Sequence, residues 1–106
     1  MSVVTVYAVF GDVDEAMAIG RAMIDEQLAA CINVLAPCTS IYRWEGKVEQ
    51  SAETPALFKT TGAAADALIA RIAGLHSYDV PAIIVWPIDR LSAPFGDWVE
   101  QSVPVS

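Results

Sequence analysis

The stretch from Val3 to Phe10 is almost wholly β-branched, aromatic or small and apolar, without alternation of polar and apolar positions. A strand that faces water on one side alternates, whereas a strand covered on both faces does not. The chain therefore calls for a sheet with this strand near its centre. Gly11 and Asp12 break the run, and Asp12 with Glu15 has the form of a capping box at the head of a helix. At 3.6-residue spacing Ala16, Ile19, Gly20, Met23 and Ile24 share one face, and Asp14, Arg21 and Asp25 share the other. This pattern predicts an amphipathic helix ending near Ala30 or Cys31.

Asn33 to Trp44 is extended in character and interrupted by Pro37, and Glu45-Gly46 then supplies a turn. Lys47-Val48-Glu49 leads on to Ala56-Leu57-Phe58-Lys59, which makes a long hairpin in which Pro37 and Pro55 mark bends or unpaired edge positions. A second helix is predicted from Thr61, with Ala65, Leu68, Ile72 and Leu75 as its apolar stripe and an end around Gly74 to His76. Ala82 to Ile88 reads as a further strand, and Ala93 to Ser102 as a helical turn or two presenting Phe95 and Trp98 to the body.

The order strand, helix, strand, strand, helix, strand is that of an α+β, ferredoxin-like split βαβ (βαββαβ) fold, here with a long hairpin and a short C-terminal helix, as a single domain over residues 1–106. Its first and third strands are central. Its last, with Ile83-Ile84-Val85-Trp86, is too apolar for an open edge, so another subunit or the C-terminal tail is expected to cover it.

Composition points the same way. Of the 106 residues 55% are hydrophobic and 18% charged, an excess of apolar surface for one small domain. No apolar run approaches the roughly 20 residues that cross a bilayer, so a second copy of the chain is a better cover than lipid. Thirteen acidic against six basic residues give a net charge of −7 with no basic cluster, which argues against nucleic acid as a partner. Strand-like sequence from Val3 leaves no export-signal pattern, and Cys31 and Cys38 are neither numerous nor spaced as CxxC. The expectation is a cytoplasmic protein with reduced thiols.

Chemistry-bearing residues gather at His76, Tyr78 and Asp79, where Pro81 forces the backbone out of the helix. His76 can act as a helix-end cap or as a ligand, but one imidazole cannot complete a tight metal site. Cys31 at the apolar end of the first helix suits packing, and Cys38 is the more exposed thiol. Tyr42 and Trp44 fall on one face of their strand and Arg43 and Glu45 on the other, a polar-aromatic patch suited to an interface. Lys59, in a strand expected to be central, must be paired or open into a cleft. No nucleophile elbow, phosphate loop or dinucleotide fingerprint is present, so a non-enzymatic role without an organic cofactor is favoured.

Leu28-Ala29-Ala30-Cys31-Ile32-Asn33, Ser40-Ile41-Tyr42-Arg43-Trp44-Glu45-Gly46-Lys47, Lys59-Thr60 and His76-Ser77-Tyr78-Asp79-Val80-Pro81 occur in this order, and with them the chain resembles the CutA family of divalent-cation tolerance proteins over essentially its full length. The resemblance implies a compact homotrimer with hairpins pairing across subunits, and tolerance to copper and other divalent ions. It implies a pocket built from the residues matching Cys31, Tyr42, Trp44, Lys59, His76, Tyr78 and Asp79. Some relatives place proposed copper ligands, a cysteine and a second histidine, where this chain has Ala8 and Leu75, which leaves His76 as the metal candidate and makes copper binding weak or shared between subunits. Ser77 replaces a proline common at that step, which predicts a looser turn. Beside metal binding stands the alternative of a trimeric small-molecule signalling or catalytic module, with Lys59 holding an anion, Trp44 or Tyr42 stacking on a flat ligand, and His76 or Asp79 moving a proton.

Overall fold

The computed structural model describes residues 2–104. The strands are β1 (Val3–Phe10), β2 (Cys31–Val34), β3 (Cys38–Trp44), β4 (Lys47–Thr61) and β5 (Ile83–Pro87), and the helices α1 (Val13–Asp25), α2 (Ala65–Leu75) and α3 (Ala93–Ser102). In the main sheet the order is β2-β4-β1-β5, all antiparallel neighbours, with β1 and β4 central as expected. The expected second strand divides at Pro37. Its first part, β2, pairs with the far end of β4, and its second, β3, pairs with the near end, from Cys38 opposite Glu53 to Trp44 opposite Lys47.

One face of the sheet carries both long helices. Val6, Ala8 and Phe10 from β1 and Ala56 and Phe58 from β4 project from this face, and meet Ala16, Ile19 and Met23 of α1 and Leu68 and Ile72 of α2 in one buried cluster. Gly20 lets α1 sit close on β2, because a Cβ there would lie 2.6 Å from Ile32 Cδ1. A smaller cluster joins Val99 and Val103, from α3 and its C-cap, to Val3, Ala30 and Ala64.

The first helix ends earlier than its apolar pattern predicts. Gln27 takes a left-handed conformation with φ 59°, its N–H bonds to Ile24 O, and the N–H of Leu28 bonds to Met23 O. This is a Schellman stop built without its usual glycine. Cys31 consequently lies on β2 and not at a helix end. At the head of α1 the capping expectation holds, since the Glu15 N–H donates to Asp12 Oδ1 at 2.8 Å, although the Glu15 carboxylate returns to the Gly11 N–H, at 3.1 Å. The second helix starts later than Thr61, which ends β4 and accepts the Ala64 N–H on its hydroxyl.

Glu45 (φ 50°) and Gly46 (φ 80°) form the two-residue hairpin turn, with positive φ at both central positions as a tight hairpin of the favoured hand requires. Pro55 is neither an edge residue nor unpaired, because it lies opposite Val9 and its carbonyl accepts the Leu35 N–H. It stands next to the point where β4 changes partners from β3 to β1 and β2. Beyond that point the β3–β4 ribbon projects from the body, which gives the molecule extents of 44 × 25 × 22 Å.

Candidate functional site

The backbone leaves α2 at His76, whose ψ of 144° is extended. Its ring is withdrawn from solvent, stacks on Phe10 at 5.1 Å with 13° between planes, and has both nitrogens engaged. Nε2 donates to Val9 O at 2.7 Å, and Nδ1 accepts the Tyr78 N–H at 3.0 Å. These bonds assign the neutral tautomer with the proton on Nε2. His76 thereby ties the 76–80 turn to β1 and offers no free nitrogen in this arrangement.

Glu15 secures the same turn from α1. One carboxylate oxygen accepts the Ser77 N–H at 2.7 Å and the other the Gly11 N–H. Burial pushes this carboxyl up, but the bonds from Ser77 and Gly11 outweigh it and hold the group below the usual carboxylate range. Ser77 was expected to loosen the turn. Instead its N–H, which a proline would lack, anchors it.

Fixed in this way, Tyr78 faces the ribbon and donates its hydroxyl proton to Glu53 Oε2 at 2.7 Å. Burial, the bond to Glu53 and the negative charge of Glu53 push the phenol up to about 12. Between the ribbon and the 78–82 segment lies a cleft of about 790 Å³, floored by Tyr7 and Val9 and walled by Tyr42, Trp44, Glu49, Glu53, Tyr78 and Asp79. The Tyr42 hydroxyl lies 3.2 Å from Ser51 Oγ across the ribbon. Arg43 also borders the cleft and is committed to the turn, donating to Gly46 O.

Four of the residues singled out in the sequence, Tyr42, Trp44, Tyr78 and Asp79, thus meet around one hollow, with His76 behind its wall. Cys31 and Lys59 do not join them. They lie opposite each other on β2 and β4, in the body of the sheet, and Lys59 donates to the Asn33 side chain. Within one protomer Lys59 therefore does not line the cleft with the aromatic residues. Cys38 is exposed at the start of β3, as expected. Ala8 is packed in the core and Leu75 carries no donor, so neither position adds a ligand. Among the described residues no group of three or more His, Cys, Asp and Glu side chains is placed to hold a metal ion. Glu49 and Glu53 were not singled out in the sequence, and Glu15 was given a capping role alone. A two-residue turn at Glu45-Gly46 implies the register that sets Tyr42 opposite Glu49 and Cys38 opposite Glu53, so the first two were within reach of the hairpin signal.

The family model described as the CutA1 divalent ion tolerance protein matches residues 4–102. The chain belongs to the CutA1 family. The divalent-cation tolerance protein CutA of Thermus thermophilus is 40% identical over 87 residues, covering 82% of this chain and 84% of that protein. Mouse Protein CutA is 36% identical over 83 residues, which are 78% of this chain but 47% of the mouse protein, so the match takes in about half of that longer relative. Among solved structures, the one titled periplasmic divalent cation tolerance protein CutA from Archaeoglobus fulgidus superposes with a TM-score of 0.93 at 31% identity, covering 95% of this chain and 98% of that one. CutA1 kinship therefore does not by itself fix a cytoplasmic location. Among the described residues no helix is long and apolar enough to cross a membrane.

Proposed function

We propose that this CutA1 family protein serves divalent-cation tolerance as a cytoplasmic homotrimer, binding copper or another divalent ion weakly at clefts that neighbouring subunits complete. The observation that carries this reading is the cleft itself, in which Glu49, Glu53 and Asp79 line one hollow beneath a projecting ribbon. Carboxylates in an acidic protein attract divalent cations. The trimer is supported by apolar surface that a lone protomer leaves open: Ile84 and Trp86 on β5, and Ile41 and Val48 on the ribbon. His76 enters chiefly as the residue that holds Tyr78 in the wall. As a direct ligand it must first surrender the Tyr78 amide. The small-molecule alternative with Lys59 as anion holder loses support within one chain, because that lysine lies outside the cleft.

Calorimetric titration of Cu²⁺ into the native protein, Glu53→Gln and His76→Ala tests the reading. The expected result is weak, saturable binding in the native protein that both substitutions reduce, the first by removing a carboxylate and the second by releasing the wall. Three superimposable titrations would dismiss the cleft as the metal site.

A further inference from the structure

The cleft is far larger than an ion needs. It is open to solvent, and at about 790 Å³ it has room for a small organic molecule. Carboxylates alone would be an ordinary solvated acidic surface, so the rings beside them decide what the hollow favours. A ring face attracts a cation in proportion to how easily that cation sheds water, which suits alkylammonium groups better than a small, strongly hydrated divalent ion. Among the described residues the cation that borders the cleft is Arg43, which donates to Gly46 O and whose single charge the three carboxylates outnumber. Glu53 uses Oε2 for the Tyr78 hydroxyl, and Oε1 has no other protein partner among the described residues.

Spacing narrows the class further. Glu49 and Glu53 are both on β4, where a rise of about 3.3 Å per residue separates them by about 13 Å. That span matches a chain of ammonium groups joined by short methylene runs, whose apolar links could lie across the rings between the charges. We propose that the cleft takes a small, flexible organic polycation of the polyamine class, its ammonium groups held by Glu49, Glu53 and Asp79 and its methylenes and outer charges laid over Tyr42, Trp44 and Tyr78. This rests on the cleft being the ligand site, as the tolerance reading also holds, and it makes divalent ions and polyamines competitors for the same carboxylates.

The test is calorimetric titration of the full chain with spermidine, with Mg²⁺ at matched ionic strength as the control for plain charge attraction. Spermidine is expected to bind saturably and more tightly than Mg²⁺. Glu49→Gln combined with Glu53→Gln is expected to weaken it about tenfold and Trp44→Leu about fivefold, with Trp44→Phe recovering most of the loss. Indistinguishable spermidine and Mg²⁺ titrations, or unchanged affinity in Trp44→Leu, would overturn the proposal. So would tighter binding of a lysine-rich peptide than of spermidine, which would make the occupant a protein segment. If Trp44→Leu also alters sedimentation, the double glutamine variant alone decides, and unchanged affinity there overturns the proposal. Cu²⁺ binding without spermidine binding would remove this inference and leave the tolerance reading intact, while the reverse would remove metal binding and leave the polyamine site.

Discussion

Strand β4 belongs to two different environments along one continuous backbone. From Thr54 to Thr61 it pairs with β1, with β2 on its other side from Ala56 to Lys59, and Phe58 has no exposed surface. From Lys47 to Glu53 it pairs with β3 alone, and Val48 is 67% exposed with Ile41 across the ribbon at 69%. Backbone pairing is regular in both halves, on two sides of the strand in the body and on one side in the ribbon, so regularity of pairing does not distinguish them. Burial does. A two-stranded ribbon in water is marginal by itself, and this one carries apolar side chains that the described residues leave exposed. The body holds the buried core, and the ribbon holds the exposed apolar surface on which the proposed trimer rests.

Substitutions in the two halves sharpen this contrast. Phe58→Ala is expected to cost about 3–5 kcal/mol in denaturant unfolding, since it empties a fully buried site between sheet and helices. A ribbon counterpart such as Val48→Ala is expected to leave protomer unfolding within about 0.5 kcal/mol and to act on assembly instead. Equal costs for the two would break the comparison.

At the joint between the halves, His76→Ala is expected to cost about 2–3 kcal/mol through the lost bonds to Val9 and Tyr78 and the vacated stack on Phe10. Amide exchange at Tyr78 would speed up with it. An unchanged Tyr78 amide would show that the turn does not depend on the ring.

The smallest effects come with pH, and they have opposite signs at the two ends of the scale. Glu15, held below the usual carboxylate range, contributes stability that is present above the unfolded carboxyl value and is lost as pH falls through the lower folded one. Tyr78, raised to about 12, contributes stability that is complete below the ordinary phenol value near 10 and fades as pH rises towards 12. Glu15→Gln is expected to flatten the acid limb of a stability profile and Tyr78→Phe the alkaline limb. Limbs that persist in those variants would assign them to other groups.

Strand order and the central position of β1 were legible in the sequence because unbroken apolar runs and a two-residue turn carry them locally. The end of α1 was not. Its stop is a left-handed Gln27, and nothing about a glutamine announces a positive φ. The candidate site was legible in half. Tyr42, Trp44, Tyr78 and Asp79 stand out by residue type and do converge, whereas Lys59 and Cys31 stand out equally and lie opposite each other where β4 pairs with β2, outside the lining of the cleft. The role of His76 was hidden for a related reason. Its partners are the carbonyl of Val9 and the amide of Tyr78, and backbone atoms leave no mark in a sequence.

Sedimentation equilibrium of the native chain at micromolar concentration, beside Ile41→Asp in the ribbon, bears most directly on the claim that the exposed half is completed by other copies. The account predicts a native mass near three protomers and a clear shift towards smaller species in the variant. A native protein that sediments as a monomer, fully folded, would contradict it.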